Sequence, residues 1–313
     1  MNPHYETAKV AAEQWLNSYG IDNIEKVKKA QFPLLAAMGH CTADAKRLYV
    51  LANYYQWVFI YDDYFDNGKW SKSPEDARHA ADLTINVLRD PETFTKTSFL
   101  PADMLRSFML DIRETATERC QQRLVKHFQN FINAAVEQVI NRSKDINLNI
   151  DSYIKLRRQT GALSSVYDLV QYDLNLDVPD EVLHNSTMKK LALYINDICC
   201  WANDIYSFNI EQAWGETHNL VIVAIREGRT VQESIDFVGD RVKERFDAYV
   251  SEKEKIPSWG SKIDQDVATY LTAVEQWAIG FLHWNFATER YFGKSHEEVK
   301  KTRVVTLLPR KKA

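Results

Sequence analysis

Residues 187–215 read TMKKLALYINDICCWANDIYSFNIEQAWG. Leu191, Ile195, Ile198, Cys199, Ala202, Ile205 and Tyr206 recur at helical spacing, which makes the stretch a helix that is apolar around most of its circumference. Gly215 is a natural stop for it. Asn203, Ser207 and Glu211 are four residues apart, so the helix stacks them on one face, one turn above the next. The plain reading is a polar face on a buried helix. Polar groups embedded in apolar surroundings need partners, however. A hard cation such as Mg²⁺, which takes oxygen ligands, supplies partners for all three.

A second oxygen-rich stripe lies upstream, in the DDYFD of residues 62–66. Ala45, Leu48, Leu51, Ala52, Tyr55, Val58 and Phe59 form an apolar helical stripe that runs directly into it and is expected to end at Asn67-Gly68. Asp62 and Asp66 again share one face, with Asp63 beside them. Three acids at a helix end are commonly just a solvated terminus. Here Tyr61, Tyr64 and Phe65 surround them, and crowded carboxylates among aromatics are costly unless a cation neutralises them. The two stripes, 203 − 62 = 141 residues apart, predict metals held between facing helices with a polyphosphate between them.

The rest of the chain reads as helix. Ten glycines and eight prolines in 313 residues leave few breakers. SKSPEDARHAADLTINVLRD has a Ser-Pro-Glu-Asp helix start, and IDSYIKLRRQTGALSSVYDLVQYDL is helical on both sides of Gly161. About ten to twelve helices are expected and no strand, in a single all-α domain spanning 1–313. The basic tail, 309–313, is expected to be disordered. A hydrophobic content of 45% provides for a large core, and a net charge of 39 − 43 = −4 gives no reason to expect nucleic-acid binding. Cys41, Cys120, Cys199 and Cys200 show no metal-binding spacing and read as reduced, buried thiols of a cytoplasmic protein. The N-terminus MNPHYETAKV lacks a signal-peptide pattern, and no apolar run reaches the roughly 18 residues of a membrane span.

DDYFD together with NDIYSFNIE resembles the metal-binding pair of microbial class I terpene synthases. The resemblance covers nearly the whole chain, because three further landmarks keep register with Asn203. Arg157 lies 203 − 157 = 46 residues before it, where the family carries a diphosphate-sensing Arg, with Arg158 as a rival. Thr160 and Gly161 stand where the family places a linker and an effector residue at a helix break. Arg290-Tyr291 match its C-terminal Arg-Tyr pair. Two positions depart from the pattern: Ile210 replaces the Lys or Arg that many members carry before the Glu, and Asn67 replaces a Glu.

The resemblance implies a helical bundle enclosing an apolar pocket, three Mg²⁺ ions with Mn²⁺ as a substitute, and a prenyl diphosphate substrate, in a monomer or homodimer without membrane insertion. Asp62, Asp66, Asn203, Ser207 and Glu211 would hold the metals. Arg157, Arg290 and Tyr291 would grip the diphosphate, and Asp63 would anchor Arg290. The allylic cation left by ionisation would cyclise against Phe59 and Trp284, whose π-faces stabilise positive charge. Trp57, Tyr206 and Phe208 are weaker pocket candidates. Farnesyl diphosphate is the commonest substrate of similar enzymes; geranyl and geranylgeranyl diphosphate are the alternatives. A chain-elongating prenyltransferase would carry a second DDxxD in place of Asn-Ser-Glu, and a protonation-initiated cyclase a DxDD, which is not found. A non-catalytic helical protein binding a hydrophobic ligand would need no metal cage.

Overall fold

A computed structural model describes residues 1–22, 24–66 and 69–311, with the backbone alone at Lys69. The expected helix stop at Asn67-Gly68, the departure at Asn67 and the last two tail residues, Lys312 and Ala313, lie outside the described residues. Fifteen α-helices and two short 3₁₀ segments are present among them, and no strand. In chain order the helices are α1 (Tyr5–Asn17), α2 (Ile24–Lys29), α3 (Phe32–Gly39), α4 (Ala45–Asp66), α5 (Pro74–Arg89), α6 (Leu100–Arg113), α7 (Glu118–Ser143) and α8 (Ile150–Thr160). They continue with α9 (Leu163–Asp173), α10 (Asp180–Leu183), α11 (Ser186–Trp214), α12 (Leu220–Arg226), α13 (Val231–Lys253), α14 (Ser261–Ala287) and α15 (His296–Thr302). Part of the surplus over the expected number is α2, α10 and α15, with six, four and seven residues. Segments that short hold too little of a periodic pattern to be read.

The chain divides into two compact units, one comprising residues 1–146 and 162–177, the other 147–161 and 178–313. In the first, α4 is buried along most of its length and is packed on by α1, α3 and α6. Its lack of a polar face is what a central helix requires. Tyr54, Trp57, Tyr61 and Phe65 interlock there with Phe108, Phe128 and Phe131; the Tyr61 and Phe65 rings stack 4.7 Å apart, and Trp57 lies 5.1 Å from Phe128. Trp57 Nε1 donates to the Pro101 carbonyl at 2.9 Å, which places Trp57 in this core. Each such side chain contributes roughly 1.5–3 kcal/mol through burial.

In the second unit α11 is the long central helix, packed on by α8, α12, α13 and α14. Asn185 caps its start by accepting from the Thr187 amide at 2.9 Å. It ends at Gly215, whose φ of +80° is the left-handed turn that glycine adopts without cost. The Glu216 amide bonds the Glu211 carbonyl and the Gly215 amide bonds the Gln212 carbonyl, at 3.0 and 3.3 Å. This Schellman turn satisfies two terminal carbonyls and sends residues 216–219 back along the helix. The break between α8 and α9 falls at Gly161, as expected. Gly161 has an ordinary φ of −71°, and the left-handed residue is its neighbour Ala162, at +56°. All four cysteines are free; Cys120, Cys199 and Cys200 are buried, whereas Cys41 is partly exposed.

Candidate active site

Asn203 has every side-chain polar atom engaged. Its Oδ1 accepts from Arg157 Nη2 at 2.7 Å, and its Nδ2 donates to the Tyr291 hydroxyl at 2.9 Å. That hydroxyl also accepts from Arg290 Nε at 3.2 Å. Burial pushes the Tyr291 phenol up, so it stays a neutral hydroxyl among these cations. The three residues expected to grip diphosphate are therefore gathered around the first residue of the α11 stripe, all within the second unit.

Ser207 and Glu211 are joined by a residue that the sequence reading missed. Asn219 is fully buried and caps α12, its Oδ1 accepting from the amides of Val221 and Ile222. Its Nδ2 donates to Glu211 Oε2 at 2.8 Å and reaches Ser207 Oγ at 3.4 Å and the Asp204 carbonyl at 2.7 Å. The Schellman turn at Gly215 makes this possible by folding the chain back past Glu211. One amide spanning both side chains shows that a hydroxyl and a carboxylate oxygen of the stripe converge. A hard divalent cation fits that donor set. Among the described residues no three His, Cys, Asp or Glu side chains form such a group.

Behind the stripe lies Asp204, 1% exposed. Its Oδ1 accepts from Arg157 Nε at 3.0 Å; its Oδ2 accepts from the Tyr153 hydroxyl at 2.6 Å and the Leu220 amide at 3.1 Å. Burial raises the Asp204 carboxyl, and the Arg157 guanidinium opposes that rise. Thr160 Oγ1 lies 3.2 Å from His218 Nε2, which connects the end of α8 to the loop that carries Asn219.

Arg157 and Arg158 have different partners. Arg158 forms a bidentate pair with Asp197, at 2.7 and 2.8 Å, and Arg245 joins the same carboxylate at 2.9 Å. Asp197 is completely buried, so this triad braces α8 and α13 against α11. Arg157→Met is expected to weaken binding of inorganic diphosphate about tenfold, the equivalent of one charge-assisted hydrogen bond. Arg158→Met is expected to leave it unchanged. Isothermal titration calorimetry distinguishes the two; equal losses would return Arg158 to candidacy.

In the first unit the acid motif ends α4. Asp66 Oδ1 accepts from Gln138 Nε2 at 2.6 Å and Arg142 Nη2 at 3.2 Å, both on α7. Arg142 Nη1 also bonds the carbonyls of Phe65 and Ser71, at 2.9 and 3.3 Å, and so holds the backbone on both sides of the α4 terminus. Gln138 and Arg142 were not singled out in the sequence, because nothing in α7 marks them as partners of a motif more than 70 residues away. Asp63 Oδ2 lies 3.8 Å from Lys26 Nζ, and Asp62 is partly buried. Phe59 stacks on Phe32 at 4.6 Å. In the second unit Trp284, fully buried, sits edge-on to Tyr291 at 6.1 Å and continues a row of rings from Trp277 and Phe281. Tyr206 packs edge-on against Phe286, and Phe208 is buried.

Comparison with known proteins agrees with this arrangement. Residues 53–248 match the family model described as terpene synthase family 2, C-terminal metal binding. The chain is 35% identical to sesquiterpene synthase Agr1 of Cyclocybe aegerita, over 99% of this chain and 90% of that protein. It is 32% identical to alpha-muurolene synthase of Coprinopsis cinerea, over 94% and 71%. The crystal structure of germacradien-4-ol synthase from Streptomyces citricolor superposes with a TM-score of 0.80 at 21% identity, over 91% of this chain and 94% of that one. At that identity the superposition establishes a shared fold.

Proposed function

The chain belongs to the terpene synthase family, and we propose that it ionises and cyclises farnesyl diphosphate to a sesquiterpene, releasing diphosphate. Membership brings with it a prenyl diphosphate substrate and a divalent metal cofactor. The observation that carries the reading is the gathering of Arg157, Arg290 and Tyr291 around Asn203, on the helix where Asn219 draws Ser207 and Glu211 together. Alignment of relatives along 99% of the chain supports reading residues 1–313 as one synthase domain. Four free cysteines fit a cytoplasmic setting, and no helix among the described residues is long and apolar enough to cross a membrane.

We assign Asn203, Ser207 and Glu211 as metal ligands in the second unit, and Asp62 with Asp66 as those of the first. The cofactor is assigned as three Mg²⁺, with Mn²⁺ as a substitute. When bound, the metal supplies Lewis-acid stabilisation of the departing diphosphate. Arg157 is held at Nε by Asp204, which leaves its Nη2 as the donor that passes from Asn203 to a diphosphate oxygen. Arg290 donates to the same group, with Tyr291 holding its Nε. Thr160 ties the end of α8 to His218 and the loop, and Gly161 opens the helix end toward the cation. Phe59 and Trp284 present π-faces that stabilise the cation without reacting with it. Exclusion of water by a closed, apolar site protects it until a proton is lost or water is captured.

The test is incubation of the purified protein with farnesyl diphosphate in Mg²⁺ and in EDTA, with gas chromatography–mass spectrometry of volatiles and assay of released diphosphate. Cyclic C15 products are expected in Mg²⁺ and none in EDTA. An alcohol would mark water capture and a hydrocarbon proton loss. Geranyl and geranylgeranyl diphosphate are run in parallel. Failure to release diphosphate from all three sinks the proposal, and preference for another chain length corrects the substrate.

A further inference from the structure

The basic tail, 309–313, was expected to be disordered; the segment 304–311 lies along the last two turns of α11. Arg303 ends α15 in the left-handed conformation, φ +60°, and redirects the chain. Its guanidinium sits over Phe286, 4.9 Å from the ring centre. Asn209 then engages the segment at two points. Its Nδ2 donates to the Thr306 carbonyl at 3.0 Å and its Oδ1 accepts from the Leu308 amide at 2.8 Å. A side-chain amide thus stands in for a peptide group in a strand-like pairing. Gln212 Nε2 donates to the Leu308 carbonyl at 2.8 Å, and the Lys311 amide donates to the Ala213 carbonyl at 2.8 Å. Lys311 Nζ ends over the Trp214 ring.

These contacts fall on the part of α11 that carries Ser207 and Glu211. The carbonyls of Glu211 and Gln212 are satisfied by the Schellman turn; that of Ala213 accepts from the Lys311 amide in this segment. The helix terminus next to Glu211 is therefore completed by a stretch almost 100 residues downstream. Asn209 itself is 8% exposed, so its amide needs these partners to be satisfied in the fold. The segment's own side chains are not what hold it: Val304, Val305, Leu307 and Leu308 are all exposed. Docking by a few hydrogen bonds without apolar burial is marginal against the ordering of the chain. Its equilibrium is therefore easily coupled to whatever else orders the end of α11, and such coupling is reciprocal.

We propose that residues 304–311 are a positioning strut for the metal-binding end of α11, acting chiefly through Asn209 and the Ala213 carbonyl. The inference rests on the assignment of Ser207 and Glu211 as metal ligands. Docking fixes the helix terminus and thereby the rotamer of Glu211; metal at the stripe in turn holds the segment docked. None of the strut residues touches the substrate.

The test compares the full chain with a variant lacking residues 304–313 and with Asn209→Ala, which keeps the chain length. Binding of Mn²⁺ in the presence of inorganic diphosphate is measured by calorimetry, and amide hydrogen exchange is followed across residues 207–214. Both variants are expected to bind the metal about five- to tenfold more weakly and to exchange faster over 207–214, with unchanged far-UV circular dichroism. In the full chain, Mn²⁺ with diphosphate is expected to slow chymotryptic cleavage after Leu307. Metal affinity unchanged in Asn209→Ala overturns the strut. That outcome is separable from failure of the synthase reading, which shows as absence of turnover in the full chain whatever its metal affinity.

Discussion

Asn203→Leu is expected to eliminate turnover while leaving the helical fold intact. Leucine has the same branching and the same number of side-chain heavy atoms as asparagine and a higher helix propensity, so α11 has no local reason to unwind. What is lost is chemistry at the meeting point of the site. The substitution removes the oxygen that Arg157 holds at 2.7 Å and the donor that Tyr291 receives at 2.9 Å. It also removes one of three proposed metal ligands from the stripe. Loss of a residue that merely orients a metal ligand typically costs 10–100-fold, so about a hundredfold is the floor for loss of a ligand itself. Asn203→Asp separates the two roles. It keeps an oxygen for the metal but cannot donate to Tyr291, and is expected to retain a measurable fraction of the activity. Steady-state kinetics on farnesyl diphosphate at saturating Mg²⁺, with circular dichroism as the check on folding, read both variants. Full activity in Asn203→Leu would remove the stripe from the metal site.

Much of this arrangement was legible because the information is local. The stripe of Asn203, Ser207 and Glu211 needs only the period of a helix, and the ends of α5 and α11 need only the Ser73-Pro74 start and the Gly215 stop. Ser73 Oγ accepts from the Asp76 amide at 3.2 Å, as a cap should. The residues that complete the site were not legible, because their role depends on partners distant in sequence. Arg157 and Arg158 are adjacent and chemically identical; Asp197 captures one and Asp204 the other, and both acids lie on α11 about 40 residues on. Asn219 looks like any helix cap, and only the fold shows its amide spanning Ser207 and Glu211. The sequence places a helix break at Gly161 but does not show which residue makes the turn. The left-handed residue is Ala162, so glycine at 161 is not required by its φ. The segment 304–311 has no helical period and four exposed apolar side chains. Its place is set by main-chain hydrogen bonds, which sequence composition does not encode.

The division between residues that hold the site and residues that react predicts a large stability effect at Asp204. Asp204→Ala leaves the Arg157 guanidinium, the Tyr153 hydroxyl and the Leu220 amide without their acceptor in a nearly waterless setting. Breaking a buried pair by removing one partner costs about 3–5 kcal/mol, because the remaining charge is stranded. For a chain of this size each kcal/mol lowers the melting temperature by about 2 °C, so a fall on the order of 10 °C is expected. Removing both charges tells whether stranding is the cause. In Asp204→Ala with Arg157→Met no charge is left unpaired, and most of the lost stability is expected to return even though diphosphate gripping is gone. Thermal unfolding of the single and double variants measures this coupling. If the double variant is less stable than Asp204→Ala by the full cost of Arg157→Met alone, the two residues do not form one unit, and Asp204 holds α8 and α12 in place independently of the guanidinium. If stability returns and turnover does not, Asp204 is a positioning residue whose buried charge keeps Arg157 ionised and aimed at Asn203.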